Sequence, residues 1–294
     1  VPPTIDYEDS YRDVLLQPRH GVDSRVRLCY RLIGPAGAPV VVVQGGISAH
    51  RAACHAPDID AADTPPPWVP KLVGEQRAVD TRRFRVLCVE WITPADFAEP
   101  AGGAASWRPP TSVDTADQAD ALAALLDQLC IRQVAAFIGY SYGGMVGLAL
   151  ATRHPSLLRK LIAVSAAHRS SPYATALWLV QRRVVELGQR SGASGQALAL
   201  AWQLAMTTFR TPEEFAERFV GVPQYRDGEF TCEVGDYLAA VGEKFVARCD
   251  TDRGADRFLA LSESIDMHLI DPTQITTPTT LVAVRSDRLI RLEQ

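Results

Sequence analysis

The sequence has no run of about 18 uninterrupted apolar residues, the length a membrane-crossing helix needs. Its amino end has neither the basic stretch nor the apolar core of a secretory signal, so a cytoplasmic protein is expected. Positive charge is not in excess: 30 Lys and Arg face 34 Asp and Glu, giving a formal net charge of -4. The basic residues are scattered rather than striped, which argues against nucleic acid or an anionic membrane as partner. The cysteines Cys29, Cys54, Cys88, Cys130, Cys232 and Cys249 contain no CxxC pair and no metal-type spacing. They read as reduced thiols, with Cys29, Cys88 and Cys130 in apolar runs where a thiol packs as a small hydrophobe. Neither a metal nor a bound cofactor is expected. An initiating methionine is missing too: the sequence starts at Val1 and stops at Gln294, so trimming at one or both ends is anticipated.

What is present is ordinary globular material, 294 residues at 47% hydrophobic, enough for a sizeable core. Apolar runs alternate with helical patterns, the signature of a parallel sheet with crossover helices. Strands are expected at residues 27–33, 40–44, 85–91, 134–138 and 161–165, with a last one at 279–284. The second of these, Val40-Val41-Val42-Val43, has no polar alternation, as expected of a strand covered on both faces. Helices are expected at 114–129, behind a cap at Asp114, and at 145–152. From 172 to 248 the pattern is helical only, an insertion over the sheet, and a helix at 256–266 leads back to it. The Pro65-Pro66-Pro67 and Ala101-to-Ala105 stretches mark loops.

Between the strand at 134–138 and the following helix stands Gly139-Tyr140-Ser141-Tyr142-Gly143. A GxSxG match alone is weak, but a strand-to-helix context makes it a nucleophile elbow. A turn that sharp leaves no room for side chains at Gly139 or Gly143, and it aims Ser141 at a helix amino end, where negative charge is favoured. The N–H of Tyr142 is one expected oxyanion donor. Gly46, in the loop after the valine strand, is the other. A serine hydroxyl needs a base, and the base needs a carboxylate to orient it. In this fold the chain order is serine, acid, histidine, and Asp287 past the last strand is placed to be the acid. No histidine follows it. His268 precedes the strand carrying Asp287, so its use would reverse the order, and the catalytic histidine is expected beyond Gln294. On this ground three readings stand: an acyltransferase, an esterase or amidase using the same serine, and a crippled or non-catalytic scaffold.

With these elements the chain resembles the homoserine O-acyltransferases, α/β-hydrolase acyltransferases of methionine biosynthesis. The resemblance rests on Gly139 to Met145, on Ala205-Met206-Thr207-Thr208-Phe209-Arg210-Thr211-Pro212-Glu213-Glu214-Phe215, and on Ser286-Asp287-Arg288-Leu289 with Glu293-Gln294. It implies an α/β-hydrolase fold with a mostly parallel central sheet: a core of residues 1–171 and 249–294 and a helical lid at 172–248. It also implies a ping-pong transfer of an acetyl or succinyl group from acyl-CoA, as co-substrate, to the hydroxyl of homoserine or a related amino-acid alcohol, in a homodimer. Trp202 and Phe209 stand where the family's lid has an arginine and a tyrosine for the acceptor's carboxylate, and 91–107 lacks its Gly-Ser/Thr-Gly-Pro segment. Both departures point to an altered acceptor. Arg210 and Arg182 are the remaining cations for a carboxylate or a CoA phosphate, with solvated helix arginines as the plainer alternative.

Overall fold

The computed structural model describes residues 5–56, 66–103, 106–249 and 251–294. Pro65, Ala104 and Ala105 of the two anticipated loops lie outside them. In chain order the elements are β1 (Tyr7–Leu16), β2 (Ser24–Ile33), β3 (Val40–Gln44), β4 (Val73–Gly74), β5 (Val79–Asp80), β6 (Arg85–Val89), β7 (Phe97–Ala98), α1 (Thr115–Gln128), β8 (Ala136–Tyr140), α2 (Tyr142–Arg153) and β9 (Leu161–Val164). There follow α3 (Pro172–Arg190), α4 (Ser194–Phe209), α5 (Pro212–Arg218), β10 (Gln224–Arg226), β11 (Glu229–Thr231), α6 (Glu233–Val246), α7 (Thr251–Met267) and β12 (Thr279–Val282).

Two compact units are formed, Val1–Ser170 with Glu263–Ala283, and Ser171–Ser262 with Val284–Gln294. The first contains the main sheet, in the order β1-β2-β6-β3-β8-β9-β12, with β7 paired to β2. Strands β6, β3, β8, β9 and β12 run parallel, while β1 and β2 are antiparallel additions at one edge. All of β3 is buried, as its unalternating valines require. The side chains of a strand alternate between faces. Val41 and Val43 therefore pack on one side with Val86, Cys88 and Ile138. Phe137 takes the other side, where α2 comes so close that a side chain at Gly147 would touch it. Helix α2 is apolar almost all round and is buried from Tyr142 to Ala151.

Helix α1 begins where the sequence says it should. The Asp114 carboxylate accepts from the N–H groups of Ala116 (2.8 Å) and Asp117 (3.0 Å), and Asp117 reaches back to the N–H of Asp114 (3.1 Å). That reciprocal pair is a capping box with aspartate in both roles.

In the second unit α4 packs against α3 and α6. Trp178 of α3 meets Phe258 at 6.2 Å between ring centroids. Three expectations need correction. The segment 172–248 is not helical throughout, since β10 and β11 form a hairpin within it. Its turn is Asp227-Gly228, with φ of 52° and 87°, the left-handed pair that a two-residue hairpin turn demands. Cys130 is exposed rather than a core residue, because it follows the end of α1 at a φ of 56°. The last strand stops at Val282, short of the expected 284, and is exposed along its length. The helix expected at 256–266 extends over Thr251–Met267, and the strand β1 is additional.

Candidate active site

Ser141 joins β8 to α2 with φ 52° and ψ -117°, a conformation that costs a residue bearing a side chain about 1–3 kcal/mol. The neighbourhood holds it there. Its N–H donates to the Val164 carbonyl (2.8 Å) and its carbonyl accepts from Met145 (3.0 Å). A Cβ on Gly139 would collide with the Gly143 carbonyl, and one on Gly143 would collide with the Gln44 carbonyl. The turn therefore tolerates glycine alone at both places, while Ser141 itself is exposed.

The loop after β3 comes against the start of α2, where the N–H of Gly143 donates to the Gly45 carbonyl at 2.9 Å. A side chain at Gly46 would meet nothing within 4 Å, so the backbone there borders open space. Beneath the loop lies Gln44, 2% exposed. Its amide donates to the Val89 carbonyl (3.2 Å) and accepts from the Val89 N–H (2.9 Å), tying the ends of β3 and β6 together. A buried amide satisfied on both sides fixes the strand ends from which the loop departs. Arg51 continues the anchoring. Its guanidinium bonds Asp9 (2.5 Å) and Glu90 (3.0 Å), and its N–H bonds Glu90 as well (3.2 Å).

Asp287 belongs to the second unit and is half-buried. One carboxylate oxygen accepts from the N–H groups of Leu289 and Ile290, each at 2.9 Å, so the side chain is held by its own turn. His268 is engaged at both nitrogens: Nδ1 lies 2.7 Å from the Thr115 hydroxyl and Nε2 lies 3.0 Å from the Ala167 carbonyl. Burial pulls its pKa down to about 4. It is a core histidine. His154, which follows α2, pairs with Asp120 at 2.7 Å, and His50 accepts from the N–H of Ala52 at 3.1 Å.

The four anticipated substrate residues all lie in the second unit. Arg210 donates to the Tyr237 hydroxyl (3.0 Å) and pairs with Glu214, so its charge is already answered within its own unit. Trp202 stacks on Phe245 with centroids 3.8 Å apart, and Phe209 meets Trp202 edge-on at 6.0 Å with about half its surface exposed. The Trp202 and Phe209 pair is thus an aromatic cluster rather than a cation and hydroxyl. Arg182 is on α3 and half-buried. Among the described residues no group of three His, Cys, Asp or Glu could hold a metal ion, and no helix is long and apolar enough to cross a membrane.

Sequence reading did not single out Gln44 or Trp91. Trp91 is 3% exposed, donates its indole N–H to the Gly46 carbonyl (3.0 Å) and packs edge-on against Tyr142 with centroids 4.8 Å apart.

Comparison with known proteins bears on this geometry. Residues 39–294 match a family model described as the alpha/beta hydrolase fold. A homoserine O-succinyltransferase of Xanthomonas campestris pv. campestris is 46% identical over 277 residues, which make up 94% of this chain and 70% of that protein. Among solved structures, a homoserine O-acetyltransferase from Staphylococcus aureus superposes with a TM-score of 0.76 at 22% identity, covering 98% of this chain and 83% of that one. The esterase E22 superposes at 0.79 with 19% identity, over 98% and 88% of the two chains. At those identities the two structures speak for the fold alone.

Proposed function

Because the chain belongs to the homoserine O-acyltransferase family of the α/β-hydrolase fold, we propose that it moves a succinyl or acetyl group from acyl-CoA to the hydroxyl of homoserine or a related amino-acid alcohol, through an ester on Ser141. The observation that carries the reading is the strained, exposed Ser141 at the head of α2, set in a chain 46% identical to a protein named for that transfer. In the first half-reaction the Ser141 Oγ bonds to the thioester carbonyl carbon and its proton passes to a general base. The C–S bond then breaks and CoA leaves as the thiol, taking that proton. In the second, the acceptor hydroxyl attacks the acyl-serine carbonyl carbon and gives its proton to the same base; the bond from that carbon to Ser141 Oγ breaks, and the base passes the acceptor's proton to Oγ, regenerating the serine.

The oxyanion of each tetrahedral intermediate is held in this reading by the N–H groups of Tyr142 and Gly46, whose alignment before reaction is what makes such donors effective. Asp287 serves as the acid that orients the base. His268 does not serve as that base, since its nitrogens are taken up by Thr115 and Ala167.

The test is the intact mass of the protein as the cell makes it, after mixing with succinyl-CoA or acetyl-CoA in the absence of acceptor. An added acyl mass is expected, absent in Ser141→Ala and discharged by homoserine. An adduct that decays equally fast without homoserine makes the protein an esterase, with water as acceptor. No adduct from either donor removes the acyl-serine mechanism.

A further inference from the structure

The N–H of Gly46 belongs to a peptide plane whose carbonyl, that of Gly45, is bound by the Gly143 N–H at 2.9 Å. The next plane along is fixed through the Gly46 carbonyl, which accepts from the Ala49 N–H (3.0 Å) and from the indole of Trp91 (3.0 Å). Both planes that meet at Gly46 are therefore pinned. Glycine, left to itself, has the widest backbone freedom of any residue, so pinning is required before its N–H can serve as a directed donor.

Trp91 also touches the other donor. Its ring stands at 78° to that of Tyr142, with centroids 4.8 Å apart. The Tyr142 side chain is fully buried, and at its far end the hydroxyl lies 2.7 Å from Ser264 Oγ, itself fully buried. The indole thus sits between the Gly46 peptide and the aromatic ring of the residue whose N–H opens α2. One rigid side chain touches both residues expected to donate to the oxyanion, Gly46 at its carbonyl and Tyr142 at its ring.

We propose that Trp91 is the positioning residue of the oxyanion site, holding the Gly46 carbonyl with its indole N–H, so that the backbone on the far side of the Gly46 Cα is fixed, and bracing the Tyr142 ring by edge-on contact, so that the residue at the head of α2 keeps its place. The inference rests on the acyl-serine reading above. Trp91 contacts neither the nucleophile nor substrate in this role. It acts when the Ser141 Oγ bonds to the acyl carbonyl carbon and the carbonyl electron pair moves onto oxygen, because it determines where the two N–H groups wait for that charge.

The experiment uses p-nitrophenyl acetate as acyl donor on the protein as the cell makes it. Acetylation of Ser141 releases p-nitrophenolate, which is followed directly. Trp91→Phe retains an aromatic ring against Tyr142 and removes the indole donor. Acylation is expected to slow about 10-fold or more with KM for the ester changed less than about 2-fold, since a misaligned donor is felt in the transition state and not in the ground state. Affinity for phenylboronic acid, which adds to Ser141 as a tetrahedral anion, should weaken by a comparable factor. A general loosening of the fold would not separate these readouts in that way. Should Trp91→Phe fail to fold, β-(3-benzothienyl)alanine at position 91 has the shape of tryptophan without the N–H, and the same loss is expected from it. Acylation as fast as wild type in a folded variant overturns the role of Trp91 while leaving the acyl-serine reading intact. A wild-type protein acylated at Ser141 by neither p-nitrophenyl acetate nor either acyl-CoA overturns both; where only an acyl-CoA reacts, the same comparison of acylation rates is made with it.

Discussion

The buried imidazole of His268 has a protonation state that its neighbours dictate. A backbone carbonyl can only accept, so the 3.0 Å contact with Ala167 requires a proton on Nε2. Nδ1 then accepts from the Thr115 hydroxyl at 2.7 Å, and the ring is neutral. Desolvation depresses the folded-state pKa to about 4 from the ordinary 6.5 of a histidine, with the Ala167 carbonyl and Asp114 acting in the opposite sense and His168 adding to the depression. Above about pH 6.5 the group is neutral folded or unfolded and contributes no pH dependence. Between that value and about 4 the unfolded chain binds a proton that the folded one refuses, so stability falls as pH falls. The span is worth on the order of 3 kcal/mol. In urea titrations from pH 7 to pH 4 the wild type should lose stability faster than His268→Gln; parallel curves would show that the ring titrates normally in the fold.

Among the elements, α1 offers a clean measure of how much a terminus matters. Asp114 receives the N–H groups of Ala116 and Asp117 and pairs with Arg19 at 3.1 Å. Asp114→Ala leaves those donors without the carboxylate, and a loss of about 1–2 kcal/mol is expected. The readout is a lower urea midpoint at unchanged slope, with Asp114→Asn recovering most of it; an alanine variant as stable as wild type would show that the cap contributes nothing. This cap, the valine strand β3 and the elbow were all legible because each is written in adjacent residues. Strand β1 was not, since its Asp9 and Asp13 dilute the apolar alternation and make sense only against Arg31 and Arg27 across the ladder. The β10–β11 hairpin carried its own signal in Asp227-Gly228, hidden by the helical pattern on either side. For the candidate site, Ser141 could be read from five consecutive residues. Gln44 and Trp91 could not, because their partners Val89 and Gly46 each lie 45 positions away along the chain.

Across the whole molecule, local stability should follow how many sides each backbone segment is covered on. Strand β3 is hydrogen-bonded on both edges, to β6 and β8, and is buried on both faces. Its amides can exchange only when the sheet itself comes apart. In the second unit the β10–β11 hairpin is a separate two-stranded sheet with three residue pairs. An isolated two-stranded ribbon is marginal in water. What favours this one is the Asp227-Gly228 turn and the Tyr225–Phe230 contact at 5.9 Å, worth about 0.5–1.5 kcal/mol, yet those rings remain 77% and 61% exposed. Hydrogen exchange on the native protein should therefore find the hairpin amides opening first and the β3 and β8 amides protected up to the free energy of global unfolding. Equal protection of hairpin and β3 would mean that something outside the hairpin covers it. The same ranking bears on the chemistry. Ser141 and Tyr142 follow directly on β8 and Gly46 lies two residues past β3, the strands expected to exchange slowest, so a left-handed serine and a pinned glycine peptide can be held ready without rearrangement when charge develops on the substrate.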